Sequence, residues 1–390
     1  MFTQTPFLKQ LFDGTLQTLN DRVLESGFCH TSFGELGNVR CYGDCHYLRD
    51  AAECARALAL TGSTDKALRI LRFNLDAVPA GRRYFPHAVA LDKSIVHDNI
   101  QTDTLAHSVL ALEACSNAGA DKEKIADMYC EMAVFARFLR EDRFHLKYGL
   151  LDSGNFNEQG FDGSREPLLD IFSNASCFAM YEALSRMADQ YGTALDKEQF
   201  SQYAAQLAEG IETHLRDKER NIYLPAIRPD GSGEFPLNWL SLYPVRWYAP
   251  DLEPYCNVLD MLWKTSCNGW YGIQIPSCEA PGMTFRSMGK VIAVLLSLTA
   301  RLGQKERFGQ LLEFIEKTVR KPDNVWPEYW FHHEPPENEY LRWFFNEYKV
   351  WTPFTADPDG DYTVDSGNCE QSAVFITEYL ACQQKAVSEI

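Results

Sequence analysis

Residues 48–77 read LRDAAECARALALTGSTDKALRILRFNLDA. On either side of Thr61-Gly-Ser-Thr64 the apolar residues recur every three to four positions, the period of a helix that buries one face. A turn this short is what an antiparallel helical hairpin requires. The same periodicity returns near 5–25, 100–118, 121–140, 172–190, 196–215, 251–265, 285–302, 304–320 and 369–385, with short turns at Asn117-Ala-Gly-Ala120 and Leu302-Gly-Gln304. That predicts about eleven helices, no strand series, and an all-α stack of hairpins closed into a toroid.

Between the hairpins run longer connections of another character, 27–46, 78–99, 144–171, 220–240, 266–284 and 321–368, rich in Gly, Pro, Asn, Asp and aromatic residues. Alternation of short and long connections places the long ones on one face of the toroid, where functional loops belong. All eight tryptophans lie between Trp239 and Trp351, mostly in these connections, with clusters such as Trp326-Pro-Glu-Tyr-Trp-Phe331. Flat rings beside carboxylates suit the apolar faces of a pyranose, with polar groups taking its hydroxyls.

At 390 residues, 45% hydrophobic and 23% charged, the chain has the composition of a globular protein with a large core, and a toroid of this length is read as one domain over 1–390. The formal charge of −17 repels phosphate backbones and anionic lipid, which excludes nucleic acid and membrane surfaces as partners and favours a neutral substrate. No apolar run is long enough to span a membrane, and MFTQTPFLKQLFDG lacks the layout of a signal peptide, so a cytoplasmic location is expected. The 12 cysteines are scattered. Pairs such as Cys41 with Cys45 and Cys115 with Cys130 match no zinc or redox spacing and read as free thiols. The nine histidines form no H-E-x-x-H, and His332-His333 cannot place both rings on one ion, so neither metal nor cofactor is expected.

Three segments carry a resemblance. Tyr47-Leu-Arg-Asp-Ala-Ala52 resembles the aromatic-x-Arg-Asp motif that opens an inner helix in glucoamylase-type hydrolases (glycoside hydrolase family 15), relatives of the trehalases. Gln101-Thr-Asp-Thr-Leu-Ala106 is similar to that family's next inner-helix segment. Asp152-Ser-Gly-Asn-Phe-Asn-Glu158, followed by Phe172-Ser173 and a helix ending Met187-Ala-Asp-Gln-Tyr-Gly192, resembles the segment that carries the family's general acid. Phe156-Asn157 departs from it, replacing the aromatic expected just before the acid and inserting one residue.

The resemblance implies an (α/α)6 barrel, and in it an inverting exo-acting glycoside hydrolase that releases a terminal sugar, glucose, from a small α-glucoside or oligosaccharide. It implies that Glu158 is the general acid and that Arg49, Asp50, Gln101 and Asp103 hold the sugar's hydroxyls. Two carboxylates roughly 6.5–9.5 Å apart suffice for such a reaction, one protonating the leaving oxygen and one activating water. For the base, Asn346-Glu347-Tyr348, ahead of Asp359-Gly-Asp-Tyr362 and Gly367-Asn-Cys-Glu-Gln371, resembles the trehalase segment and points to Glu347. Glu370, in the first turn of the last helix, and Glu328, in the tryptophan cluster, are its rivals. Gly269-Trp-Tyr-Gly-Ile-Gln-Ile-Pro-Ser277 resembles the trehalase loop that lines the sugar pocket, which makes Trp270 and Gln274 substrate contacts. Bacterial glucoamylases carry an N-terminal β-sandwich, whereas here the first helix starts almost at once, so a catalytic barrel alone is expected. Two other functions compete. A helical-barrel sugar epimerase or isomerase would rely on His46, His97 and His107, and a catalytically inactive barrel would only bind carbohydrate.

Overall fold

A computed structural model describes residues 5–31, 35–36, 39–40, 45–154, 167–231, 235, 237–266, 286–319, 325–327, 329–332, 355–356, 362–364 and 367–388. The chain divides into two compact units, one of Met1–Val23, Cys29–Asp44 and Asp260–Ile390, the other of Leu24–Phe28 and Cys45–Leu259.

In the second of these, three helical hairpins follow one another along the chain. They are α2 (Leu48–Leu60) with α3 (Thr64–Asp76), α4 (Thr104–Asn117) with α5 (Lys122–Arg143), and α6 (Ile171–Tyr191) with α7 (Ala194–Gly210), the last continued by a π turn to Leu215. Gly62 and Gly119 end α2 and α4 with φ of 91° and 78°, values that a side chain resists and that a tight reversal needs. Thr193 opens α7 with a reciprocal capping box to Asp196.

Helices α2, α4 and α6 pack side by side, with α3 backing onto α2 and α4, α5 onto α4 and α6, and α7 onto α6. Burial follows: 11 of the 13 residues of α2 are buried against four of the 17 of α7, because an inner helix has neighbours all round while an outer one buries a stripe. The inner layer therefore carries polar groups only where they find partners. Asn74 donates from Nδ2 to the Leu48 carbonyl at 3.0 Å while its Oδ1 meets His46 Nε2 at 2.6 Å, which ties α3 to the start of α2.

The other unit contains α1 (Pro6–Asp21), α9 (Gly289–Arg301), α10 (Lys305–Thr318) and α11 (Cys369–Ser388); the division between the units falls within α8 (Glu253–Ser266). Helix α9 packs against α10 and α11, and α11 against α1. Trp326 stacks on Phe375 of α11 with ring centroids 4.1 Å apart, and Gly289 lies so close beneath it that a Cβ would stand 2.2 Å from the Pro327 carbonyl oxygen. An antiparallel sheet orders Arg286–Met288, Tyr329–His332, Tyr362–Val364 and Thr355–Ala356 side by side.

Eleven α-helices thus stand among the described residues where the periodicity predicts about eleven. The short strands were not expected. Most are two or three residues long, and an alternation that brief leaves no period to read. Among the described residues no helix is long and apolar enough to cross a membrane. The described cysteines are free thiols, and all but Cys130 and Cys256 are buried.

Candidate active site

The heads of α2 and α4 meet. Strand His46–Tyr47 pairs with Ala88–Val89 and leads directly into α2, whose first turn presents Arg49 and Asp50, with Glu53 one turn on. Asp50 is favourable there through the helix dipole alone. Asp103 occupies the N-cap of α4, yet its side chain makes no capping bond. Its carboxylate instead stands 3.5 Å from Arg49 Nη1 and 3.5 Å from His107 Nε2, one turn further along α4. Arg49 Nε lies 3.7 Å from Asp50. Three of the residues expected to hold a sugar are thus joined by charge at adjoining helix heads.

Gln101, two residues before Asp103, is 5% exposed, and neither atom of its side-chain amide has a hydrogen-bond partner among the described residues. Its backbone forms a bridge to Gly154, and Thr102 Oγ1 donates to the Asp152 carbonyl at 2.7 Å. Gly154 has φ of 82° and passes the Ile100 carbonyl so closely that a Cβ would stand 2.3 Å from its oxygen. The Asp152 carboxylate accepts from Gly154 N at 2.9 Å, and Arg143 and His145 reach it at 3.4 and 3.1 Å. The root of the segment that leads to Glu158 is therefore stitched onto the Gln101-Thr102 pair. Glu158 itself lies outside the described residues, as do Glu347, Glu328, Trp270 and Gln274.

Deeper in the same unit lies a set of charges of which sequence reasoning named only His107, and for another role. Glu53 accepts both arms of Arg246, at 3.0 and 3.1 Å, and its Oε1 meets His107 Nδ1 at 2.8 Å. All three side chains are 1% exposed. Burial raises the Glu53 carboxyl, but Arg246 and His107 outweigh it and hold the group well below the usual carboxylate range. Burial lowers the His107 imidazole, but Asp103 and Glu53 outweigh that too and raise it. Arg246 also donates to Tyr243 Oη at 2.7 Å and lies over the Tyr243 and Trp247 rings. Phe172 stacks on Tyr243, meets Trp247 edge-on and lies 5.9 Å beneath the Arg49 guanidinium. The signal available in the sequence was a Glu inside an Ala/Cys/Leu helix, a position that demands a buried cation.

Asp170 caps α6 through the Ser173 amide at 2.6 Å, while its second oxygen is buried without a hydrogen-bond partner among the described residues. Burial, aided by the charge on Asp103, pushes its carboxyl up to about 7.

The histidines weighed for an isomerase differ among themselves. His46 is buried against Phe28 and Phe73, His107 is held in its ion pairs, and His97 is exposed near the Tyr47 and His87 rings. In the other unit, Asn368 Oδ1 caps the start of α11, and the Glu370 carboxylate meets Lys290 Nζ at 3.0 and 3.2 Å and accepts from Gln371 Nε2 at 3.3 Å. The Lys290 side chain is 1% exposed, so the two form a buried ion pair. A surface cavity of about 420 Å³ lies elsewhere, between α3 and α5, and Arg69 and Arg72 at its edge are already matched by Glu25 and Glu131.

No family model matches the sequence, and no curated protein matches it. Solved structures do. A glycosidase resembles the chain with a TM-score of 0.65 at 12% identity, over 98% of this chain and 99% of that one. A D-mannose isomerase reaches 0.65 at 12% identity, over 98% of each chain. A mannosylglycerate hydrolase from Thermus thermophilus, in complex with glucose, reaches 0.60 at 12%, over 94% and 99%. These likenesses establish the fold, an all-α barrel of helical hairpins. That fold serves both a hydrolase and an isomerase, so the chemistry must be argued from the site.

Proposed function

We propose that this protein is an inverting glycoside hydrolase that removes a terminal sugar, glucose by its resemblance, from a small neutral α-glucoside. The observation that carries the reading is the meeting of Arg49, Asp50 and Asp103 at the heads of α2 and α4, beside a buried Gln101 amide with no hydrogen-bond partner among the described residues. A buried amide with no partner costs about 1–3 kcal/mol, and sugar hydroxyls, which both donate and accept, would offset that cost.

In this reading Glu158 protonates the departing oxygen, at the end of a segment rooted on Gln101 and Thr102. Glu347 activates water on the opposite ring face, with Glu328 as alternative; Glu370 has the weaker claim because Lys290 occupies both its oxygens. Trp270 supplies a flat surface for the ring and Gln274 a polar contact. The whole chain acts as one catalytic domain, in the cytoplasm.

The test is hydrolysis of chromogenic and disaccharide α-glucosides by wild type and Glu158→Gln. Loss of the general acid lowers the rate by about a hundredfold or more. An unchanged rate would remove Glu158 from its role, and conversion of an aldose to a ketose would favour the isomerase.

A further inference from the structure

Both nitrogens of the His107 ring face carboxylate oxygens: Nδ1 stands 2.8 Å from Glu53 Oε1 and Nε2 stands 3.5 Å from Asp103 Oδ2. A neutral imidazole has one N–H and one lone pair, so it would turn that lone pair onto one of the two carboxylates. Only the imidazolium offers a proton to each. The surrounding charges agree. Arg49 faces Asp50 and Asp103, and Arg246 and Arg56 both act on Glu53, so the carboxylates beside His107 are held charged. From α6, Asp170 and Cys177 lie near Asp103, and burial raises both, favouring their neutral forms. Trp247, nearly perpendicular to the ring at 5.2 Å, and Phe172, stacked at 6.2 Å, pack against it, and the side chain is 1% exposed, out of reach of solvent screening.

We propose that His107 is a positioning residue, a buried imidazolium that passes the anchorage of Arg246 and Glu53 on to Asp103 and so holds that carboxylate charged and oriented as an acceptor for a sugar hydroxyl. The role of Asp103 rests on the proposed function; the charge on His107 does not. Arg246 pins Glu53 in two places, Glu53 orients the ring, and the ring turns Nε2 toward one oxygen of Asp103 at 3.5 Å, an electrostatic contact longer than a hydrogen bond. Asp103 is thereby released from capping α4, which its place at the helix start would otherwise favour.

Two measurements decide it. Ring-nitrogen NMR of histidine-labelled protein, with the His107 signals assigned by their loss in His107→Gln, should find both nitrogens protonated at pH 7. Calorimetric titration of D-glucose and D-mannose from pH 6 to 9 should show binding to wild type that weakens as the ring loses its proton. His107→Gln keeps a donor toward Glu53 but carries no charge. It should bind about tenfold more weakly at pH 6 and, compared in an Asp170→Asn background so that the carboxyl near 7 does not titrate over the same range, lose the pH dependence. A neutral ring at pH 7 overturns the inference and leaves the sugar site standing. A charged ring in a protein that binds neither hexose instead removes the sugar site, and the positioning role with it. A charged ring with unaltered hexose binding in His107→Gln also overturns the positioning role.

Discussion

Burial, with the Asp103 carboxylate nearby, raises the Asp170 carboxyl, which makes the stability of the fold depend on pH. Its carboxyl titrates near 7 in the folded chain and about 3.9 in the unfolded one. The folded state therefore holds that proton more tightly, an advantage complete below the lower value and lost as the pH rises to the upper one. Asparagine accepts the same capping bond from Ser173 and does not titrate. Asp170→Asn should gain on wild type by on the order of 2–4 kcal/mol between pH 4 and pH 8, measured by denaturant melts at both values. A difference independent of pH would mean that Asp170 is ionised throughout. His107 works in the same direction, since its raised value makes its contribution complete below about 6.5 and lost above.

Elements were more legible than the contacts between them. The periodicity predicts helices over 48–61 and 64–77 and the structure has Leu48–Leu60 and Thr64–Asp76, because a pattern four turns long survives the loss of a residue at either end. Arg49, Asp50 and Asp103 were legible through short motifs at helix starts, where local sequence and local structure coincide. Glu53 with Arg246 was not, since 193 residues separate the partners and nothing in either segment names the other. Gly154 belongs to this scale too, as the point where the segment after α5 is pinned to the start of α4. Gly154→Ala must find room 2.3 Å from the Ile100 oxygen at φ of 82°, whereas Gly62→Ala, at φ of 91°, meets nothing within 4 Å. Gly62→Ala is expected to cost about 1 kcal/mol and to leave hydrolysis intact. Gly154→Ala should cost at least about 2 kcal/mol and lower hydrolysis as well. Equal costs in chemical denaturation would show that the close approach at Gly154 carries no strain.

At the scale of the whole molecule, the fold narrows the chemistry without choosing it. A barrel of hairpins gathers its helix heads and long connections, and the same frame serves hydrolysis or isomerisation according to which side chains those connections deliver. Here the heads deliver acids, an arginine and an amide, and two of the three histidines weighed for isomerisation are committed to buried partners. The proposed hydrolysis needs such groups to hold the hydroxyls of its sugar. Proton NMR of the wild-type protein acting on an α-linked glucoside follows the first anomer released before mutarotation. Inversion predicts that β-glucose appears first, with no ketose. If α-glucose leads, or if the sugar emerges as a ketose, the proposed chemistry is wrong.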